Sequence, residues 1–332
     1  MSEMLVSPTG GQSPDGTRVT CVIVSWNVRE HLLNCLESLL ASADRSGIGL
    51  ETVVVDNASI DGTVGAVFER FPSVGLIAND QNVGLSKAVS QVVGRSLSEY
   101  LFLLNPDTLV EDCALGRLVG ALDRNPVVGL VGPAIIADNG EAEQPCRRFP
   151  RWHDFFLEST VLERFWPASP SVRHYRCIDL PTDQIQYPDW ITGAALMLRR
   201  SAIGDEAVFD TRFFMYSEEL DLCRRLRANG WEVLYEPAAV VHHAGGRSSS
   251  QDDYSRNVRF HDSKATYLAK HHGRPLEFVF RLFIALSLSL SGLEDWTKGS
   301  LTRGENWRTR RAAMYMRSGL WHLQRLFHRM GR

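Results

Sequence analysis

The stretch Tyr100-Leu101-Phe102-Leu103-Leu104-Asn105-Pro106-Asp107 is an apolar run that ends abruptly in a polar turn. A short apolar run of this kind is typical of a strand buried on both faces, and the proline fixes the turn that follows. The carboxylate of Asp107 then projects from the carboxyl end of the strand, where open α/β sheets bind their ligands. The stretch predicts a sheet strand with a candidate metal-binding carboxylate at its end, although an ordinary Pro turn has the same pattern.

The sequence around this stretch alternates between apolar, β-branched runs and segments with helical spacing. Strands are expected at residues 19–25, 51–56, 74–77, 100–104 and 127–131, and helices at residues 29–42, 61–70, 85–97 and 111–124. Such alternation is typical of an α/β fold in which a parallel sheet carries helices on both faces. The carboxyl ends of the strands should therefore meet along one edge of the sheet.

The composition is that of a soluble globular protein. The chain has 332 residues, of which 44% are hydrophobic and 23% charged, enough for a sizeable core. The net charge of −3 gives no sign of a nucleic-acid partner. Six cysteines are scattered without a CxxC pair, which favours a reducing, cytoplasmic compartment. Residues 1–18 are polar and rich in Gly, Ser and Pro, which predicts a flexible leader instead of a secretion signal.

Polar side chains follow the first two predicted strands. Ser25 and Asn27 come after the first strand, and Asp56, Asn57 and Ser59 come after the second. Because parallel strands end at one edge, these residues should face one crevice. A carboxylate such as Asp56 is a good acceptor for the imino proton of a pyrimidine base, and Asn57 and Ser59 offer further polar contacts. The alternative is a turn followed by a helix cap.

The helix start at Asn82-Val83-Gly84 is a candidate anion site. Gly84 allows the backbone to approach a ligand, the free N–H groups of a first helical turn attract anions, and Lys87 adds positive charge. The sequence contains neither a GxGxxG nor a GxxxxGK[ST] pattern, so it lacks the dinucleotide and P-loop fingerprints.

Three carboxylates are concentrated at the start of a later amphipathic helix. Glu218, Glu219 and Asp221 all lie in its first turn, where the helix dipole favours ionised acids. An ionised carboxylate beside a crevice can act as a general base. The alternative is that these acids pair with Arg224 and Arg225.

A histidine pair, His242 and His243, ends the strand predicted after that helix and precedes a Gly-Gly turn. A histidine in this position suits a metal ligand or a contact to a diphosphate.

Taken in this order, the motifs resemble those of the inverting glycosyltransferases of family 2, which have the GT-A fold. The resemblance runs from about Thr20 to Ser248. The motifs that carry it are Val-Ser-Trp-Asn27, Val-Asp56-Asn-Ala-Ser-Ile-Asp61-Gly, Asn82-Val-Gly84, Asn105-Pro-Asp107, Trp190-Ile-Thr-Gly193-Ala, Phe-Phe-Met-Tyr-Ser-Glu218-Glu219-Leu-Asp221-Leu and His243-Ala-Gly-Gly-Arg-Ser248. The Asn-Pro-Asp variant is most similar to the rhamnosyltransferase branch, which uses dTDP-rhamnose for cell-envelope glycans.

The resemblance implies a GT-A type, Rossmann-like sheet that is mixed but mostly parallel, flanked by helices and followed by a C-terminal helical extension. The catalytic domain would comprise residues 19–255, with a nucleotide-sugar half at about 19–135 and an acceptor half at about 136–255. The implied partners are a dTDP- or UDP-linked sugar and a glycan or lipid-linked acceptor.

For the donor, the resemblance assigns the nucleotide base to Asp56 and the Ser25 region. Asn105 and Asp107 occupy the place of an Asp-x-Asp motif, in which Asp107 would bind Mg²⁺ or Mn²⁺. His243 matches a metal- or diphosphate-binding histidine. Since Asn105 replaces an acid, diphosphate oxygens and water would have to complete the metal shell.

For catalysis, the resemblance places Glu219 at the position of the base and Gly193 in the donor site. The family usually has Asp at this base position, so Glu218 and Asp221 remain alternatives. Ser90 stands where the family often has Asn.

Residues 256–332 are predicted to be helical and basic. Residues 296–332 carry nine Lys and Arg residues against a single acid, and residues 275–293 are apolar apart from Glu277 and Arg281. The uninterrupted apolar part is too short to span a bilayer. One interpretation is an interfacial anchor on the anionic inner face of the cell membrane. The other is packing against the catalytic domain or against a second copy in a homo-oligomer.

Three alternative functions follow from the same residues. Another sugar, such as galactose or N-acetylglucosamine, would be transferred from a UDP-sugar by the same chemistry. A nucleotidyltransferase typically has a Gly-rich phosphate loop after the first strand, where this chain has Trp26-Asn-Val-Arg-Glu30. A non-catalytic sugar-nucleotide binding protein would keep Asp56 but would not need the carboxylates at 218–221.

Overall fold

The computed structural model describes residues 16–158, 160–166, 169–204, 206–245, 252–301 and 306–330. Most of the predicted leader and residues 246–248 of the His243 motif lie outside the described residues. The last residue of the predicted leader, Arg18, is held in place, because it pairs with Glu99 at 2.7 Å and with Asp123 at 2.8 Å.

The chain divides into two compact units. The first comprises residues 1–149, 177–214 and 218–248, and the second comprises residues 150–176, 215–217 and 249–332. This division differs from the predicted boundary near residue 255, because residues 150–176 group with the C-terminal helices and not with the predicted acceptor half.

The described strands are β1 (Val19–Ser25), β2 (Leu50–Asp56), β3 (Gly75–Ala78), β4 (Tyr100–Leu104), β5 (Thr108–Val110), β6 (Val128–Ala137), β7 (Cys146–Arg147), β8 (Trp190–Ile191), β9 (Ala195–Arg199) and β10 (Glu232–His243). The described helices are α1 (Arg29–Ser46), α2 (Thr63–Arg70), α3 (Leu85–Val93), α4 (Ala114–Arg124), α5 (Asp154–Leu157), α6 (Val161–Phe165), α7 (Pro170–Tyr175), α8 (Arg200–Ile203), α9 (Glu218–Ala228), α10 (Asp253–His271), α11 (Arg274–Leu301) and α12 (Asn306–Met330).

In the described part of the first unit, eight strands form one mixed sheet in the order β3-β2-β1-β4-β9-β6-β10-β5. The pairs β3–β2, β2–β1, β1–β4 and β6–β10 are parallel, whereas β9 is antiparallel to β4 and β6, and β5 is antiparallel to β10. This confirms the predicted mixed, mostly parallel sheet. Strands β7 and β8 form a separate antiparallel ladder.

The sheet is rigid near the predicted site because its central strands are buried. All five residues of β4 are buried. Helix α1 covers one face through Leu32, Leu36 and Leu39, which are fully buried and follow helical spacing. Each such leucine contributes about 1.5–3 kcal/mol of burial free energy. The helix ends at Gly47, whose φ of 63° favours glycine.

The second unit contains α10, α11, α12 and the short helices α5 to α7. Phe155 contacts the rings of Tyr267 and Phe280 in its core. Among the described residues, α11 is the one helix long and apolar enough to cross a membrane by length and composition. Half of its most apolar window is buried inside the protein, and the core helix of a soluble protein would pass the same test.

Candidate active site

Ser25 and Asp56 end the neighbouring strands β1 and β2 and are partners in their register. Both residues are almost completely buried. Asp56 Oδ2 accepts the Ser59 N–H at 2.8 Å, whereas Asp56 Oδ1 and Ser25 Oγ have no hydrogen-bond partner among the described residues. Burial raises the pKa of the Asp56 carboxyl. Since unsatisfied buried oxygens are costly, this pair fits a ligand that brings an N–H donor.

Asn27 and Ser59 join the loops around Asp56. The Asn27 N–H donates to Ser59 Oγ at 2.8 Å, and Asn27 Oδ1 accepts the Ile60 N–H at 2.8 Å. Asn27 itself has a left-handed φ of 52°, which asparagine tolerates better than most residues. These bonds join the loop after β1 to the loop after β2 and so help to position Asp56, while the Ser59 hydroxyl can still donate a hydrogen bond.

Asn57 belongs to a network of side-chain amides that sequence reasoning missed. Asn57 Oδ1 accepts from Asn79 Nδ2 at 3.0 Å, and the Gln91 amide donates to Asn79 Oδ1 at 2.8 Å. Asn79 follows β3 and Gln91 lies on α3, so the network ties three elements together beside Asp56. In the sequence, the one indication of a role for Asn79 is that it is a polar residue shortly after a predicted strand.

Asn82 and Gly84 form the turn that opens α3. Asn82 Oδ1 accepts the Gly84 N–H at 3.0 Å, and Gly84 has a φ of +85°. A Cβ at Gly84 would lie 2.7 Å from the Phe214 carbonyl oxygen, which also accepts the Leu85 N–H at 2.8 Å. The helix start therefore offers fewer free N–H groups to an anion than expected, and Lys87 is exposed.

Asp107 and His243 face each other at the ends of β4 and β10. His243 Nε2 lies 3.3 Å from Asp107 Oδ1, and the Asn105 side-chain amide lies 3.4 Å from the same ring nitrogen. The backbone oxygen of Asp107 accepts the Ala244 N–H at 2.9 Å. Burial lowers the pKa of His243, but the hydrogen bond and charge of Asp107 outweigh it, and the net pKa is raised.

A carboxylate and an imidazole this close together fit a divalent cation. Among the residues that the structure describes, no group of three or more His, Cys, Asp or Glu is placed to hold a metal ion. Asp107 and His243 would thus supply two ligands, and a bound diphosphate and water would supply the others.

Glu219 has the most suitable environment for a general base. Its carboxylate accepts the Gly193 N–H, while its Oε2 has no partner within the described part of the chain. A Cβ at Gly193 would lie 3.6 Å from Glu219 Cδ, in ordinary van der Waals contact, so Gly193 and the Glu219 side chain are direct neighbours. Burial raises the pKa of Glu219 to about 7, against an ordinary value of 4.5.

The two neighbouring acids are less suited to that role. Glu218 is buried, and desolvation together with the charge of Glu219 raises its pKa well above the usual range. Asp221 is fully buried, and its Oδ2 accepts from Arg225 Nε at 3.1 Å. An ionised acid held by a guanidinium is a weak base, so the predicted pairing with arginine describes Asp221 better than catalysis does.

Arg147 is a charged residue near Glu219 that sequence reasoning missed. Its positive charge acts to lower the pKa of Glu219, against the larger effect of burial. The guanidinium donates to the backbone oxygens of Gln144 and Cys146, and Arg147 pairs with Trp190 in the β7–β8 ladder. Arg147 lies in an irregular stretch before Trp152, and no sequence motif around it indicates a role.

The metal-binding candidates and Glu219 converge on one sheet edge. The Asn105 N–H donates to the Ala194 oxygen at 2.9 Å, and Ala194 follows Gly193, whose N–H Glu219 accepts. The dipeptide Gly193-Ala194 therefore connects the two residues, since Ala194 bonds to Asn105 and Gly193 bonds to Glu219. These contacts place Asn105, and with it Asp107 and His243, on the same edge of the sheet as Glu219.

Comparisons with known proteins identify the family. The family described as Glycosyl transferase family 2 matches residues 20–180. The N-acetylglucosaminyl-diphospho-decaprenol L-rhamnosyltransferase of Mycobacterium tuberculosis is 30% identical over 280 residues, which are 80% of this chain and 90% of that protein. The rhamnosyltransferase WbbL of Escherichia coli K12 is 34% identical over 265 residues, 76% of this chain and 93% of that protein.

Among solved structures, the mannosyltransferase PcManGT from Pyrobaculum calidifontis, in complex with GDP-Man and Mn²⁺, has a TM-score of 0.50 at 17% identity. The match covers 95% of this chain and 90% of that chain, which shows the fold that the two share. Because identity to the rhamnosyltransferases extends over most of both sequences, the chain is a glycosyltransferase with a GT-A type fold and belongs to glycosyltransferase family 2.

Proposed function

We propose that this glycosyltransferase moves L-rhamnose from dTDP-rhamnose to a hydroxyl group of a lipid-linked acceptor in cell-envelope glycan synthesis. The observation that carries the proposal is the similarity to two rhamnosyltransferases over 90% and 93% of their lengths. The name of one of them contains a diphospho-decaprenol group, which supports a lipid-linked acceptor here.

The donor would lie across the carboxyl edge of the sheet. Asp56 Oδ1 accepts the imino N–H of the pyrimidine base, because it is buried and lacks a partner among the described residues. Asp107 and His243 would hold Mg²⁺ or Mn²⁺, and such an ion would supply positive charge to stabilise the departing diphosphate. Gly193 leaves room for the sugar beside Glu219.

Transfer is an in-line displacement with inversion at the anomeric carbon. The acceptor oxygen forms a bond to this carbon as the bond to the diphosphate oxygen breaks, and the electron pair leaves with dTDP. Glu219 Oε2 takes the hydroxyl proton. A base with a pKa of about 7 is partly ionised at neutral pH and still basic enough to accept the proton.

A cytoplasmic location is part of the proposal. All six cysteines, each of which lies within the described residues, are free thiols. Five of these thiols are buried and Cys113 is exposed. Free thiols of this kind fit a reducing compartment.

The donor can be identified by thermal shift. With Mn²⁺ present, dTDP-rhamnose should raise the Tm more than UDP- or GDP-sugars do, because a ligand that binds only the folded state stabilises it, by about 2.7 kcal/mol at a hundred times its Kd. Stabilisation by a UDP-sugar with no response to dTDP-rhamnose would contradict the proposed donor and favour the UDP-sugar alternative.

Asp56→Asn should raise the KM for the donor about tenfold or more and change kcat much less. The amide cannot give the imino proton a charged acceptor, and hydrogen bonds to charged groups contribute about 1.5–3 kcal/mol. Initial rates over a donor titration measure both constants. Asp44→Asn, at an exposed position on α1, is the matched control. An unchanged KM in Asp56→Asn would remove Asp56 from the base site.

A further inference from the structure

Helix α11 has an apolar exposed face. Between residues 278 and 293 seven positions are exposed, and all but Ser289 are hydrophobic. The six hydrophobic side chains are 40–58% exposed and recur at helical spacing: Phe278, Val279, Leu282, Leu286, Leu290 and Leu293. A helix of a water-soluble protein normally turns such a face toward the core.

Three charged residues of the same helix are buried instead, while Arg274 and Lys298 near its two ends are exposed. Glu277, Arg281 and Asp295 are no more than 5% exposed. Arg281 donates to Glu277 at 2.9 Å and to Asp262 at 2.7 Å, and Arg311 donates two hydrogen bonds to Asp295. Buried charges are tolerated when they are paired in this way. The charges that interrupt the apolar sequence are therefore neutralised within the second unit and are absent from the exposed face.

Helix α12 also exposes hydrophobic side chains, and Arg317 and Arg325 are exposed on the same helix. Met316, Leu320 and Phe327 are 40%, 55% and 69% exposed, while Ser318 and His322 are fully buried. The exposed residues again lie three to four residues apart or at multiples of that spacing, which places them on one side of the helix.

The two helices are antiparallel neighbours in close contact. A Cβ at Gly319 would lie 3.0 Å from the Ala285 oxygen, and a Cβ at Gly292 would lie 3.1 Å from the Ala312 oxygen. We call the exposed hydrophobic residues of this helix pair the α11–α12 apolar face. Exposed apolar patches on this scale mark surfaces that bind a partner.

The positive charge of the C-terminal segment indicates which kind of partner the α11–α12 apolar face binds. Residues 296–332 carry nine basic residues and one acid. Arg308 and Arg311 lie over the Trp307 ring at 4.6 and 4.8 Å, and Arg325 lies 5.3 Å from the centre of the Trp321 ring. Arg308 and Arg311 also pair with the buried Asp295. The basic side chains that α12 exposes to solvent include Arg317 and Arg325, whose charge suits an anionic surface. A second copy of the chain would bring like charges together, which disfavours a dimer through this face.

We propose that the α11–α12 apolar face docks on an anionic phospholipid bilayer surface, with the apolar side chains in the interface and the basic side chains at the headgroups. The inference does not depend on the identity of the donor or acceptor, because it rests on the second unit alone.

Vesicle flotation of the full chain tests this proposal. The protein should float with vesicles of phosphatidylcholine and phosphatidylglycerol at low salt, and less with phosphatidylcholine alone or at high salt, where charge is screened. The double variant Leu286→Glu, Leu290→Glu should bind at least about tenfold more weakly, since it places two charges in the apolar face. Leu97→Glu, at a leucine that is 80% exposed in the first unit, is the matched control and should bind normally.

Unchanged far-UV circular dichroism and an unchanged Tm in both variants would show that they fold. The proposal fails if the native chain does not bind the anionic vesicles at low salt, or if the double variant binds as well as Leu97→Glu does. It also fails if the native chain is a dimer that the double variant converts to a monomer without any vesicle binding. Bound protein that resists alkaline carbonate extraction would indicate a spanning helix and would overturn surface docking.

Discussion

Glu219→Gln should lower kcat about a hundredfold or more and leave the KM for the donor nearly unchanged. Glutamine has the same shape and can still accept the Gly193 N–H, but it cannot take the proton of the acceptor hydroxyl group. General bases typically contribute 10²–10⁴-fold to the rate. Initial rates of sugar transfer by the purified variant at saturating donor measure the effect.

Glu218→Gln is the matched control. Its carboxyl is buried, desolvation raises its pKa well above the usual range, and glutamine keeps its shape. This variant should keep most of the activity. Near-normal transfer by Glu219→Gln, or equal losses in both variants, would overturn the assignment of the base.

The pH dependence of kcat/KM should also identify Glu219 as the base. With a Glu219 pKa of about 7, kcat/KM should rise about tenfold per pH unit below 7 and level off above it, because the base must be ionised. The residual rate of Glu219→Gln should lack this step.

As the pH rises, the ionisation of Glu219 should lower the stability of the protein while it raises the activity. A carboxyl whose pKa is raised in the folded state above its ordinary value of 4.5 holds its proton more tightly there than in the unfolded chain. Ionisation of Glu219 therefore costs stability progressively as the pH rises from about 4.5 through 7. Glu219→Gln should melt at a higher temperature than the native protein at pH 8, and the difference should shrink toward pH 5.

The central strands of the sheet could be predicted because the hydrophobic pattern within each strand is sufficient to identify it. β1 and β4 are buried on both faces, so each appears as an apolar run that needs no knowledge of its neighbours. Features that depend on distant pairing could not be predicted. The helix expected from residue 111 begins at Ala114, because Thr108–Val110 forms a strand that pairs with His243 and its neighbours. The direction of β9, antiparallel within the sheet, is not encoded in its hydrophobic pattern either.

The residues of the candidate site likewise fall into those with a local sequence signal and those set by distant contacts. Asp56 and Asp107 could be located because ligands bind at the carboxyl edge of such sheets. The amide network of Asn79 and Gln91 and the charge of Arg147 are set by tertiary contacts alone. In the sequence, Glu277 and Arg281 are interruptions of an apolar run, and only their burial reveals that the exposed face of α11 between residues 278 and 293 is apolar apart from Ser289.

Asp107→Ala should lower kcat about a hundredfold or more and abolish most of the stimulation by Mn²⁺. The substitution removes one of two protein ligands and leaves His243 without the carboxylate that raises its pKa. Loss of a charged group that stabilises a developing negative charge costs about 10²–10³-fold in kcat. Mn²⁺ titration followed by electron paramagnetic resonance, in the presence of dTDP, measures the binding directly and independently of turnover.

Asp112→Ala is the matched control, since this exposed aspartate pairs with Arg45 at the surface and should affect neither rate nor Mn²⁺ affinity. The backbone oxygen of Asp107 bonds to the Ala244 N–H, and alanine preserves that bond, so the local turn should survive the substitution. A large loss of activity with undiminished Mn²⁺ binding would therefore assign the carboxylate to another role, such as orientation of His243. Normal activity together with normal Mn²⁺ dependence would remove Asp107 from the metal site.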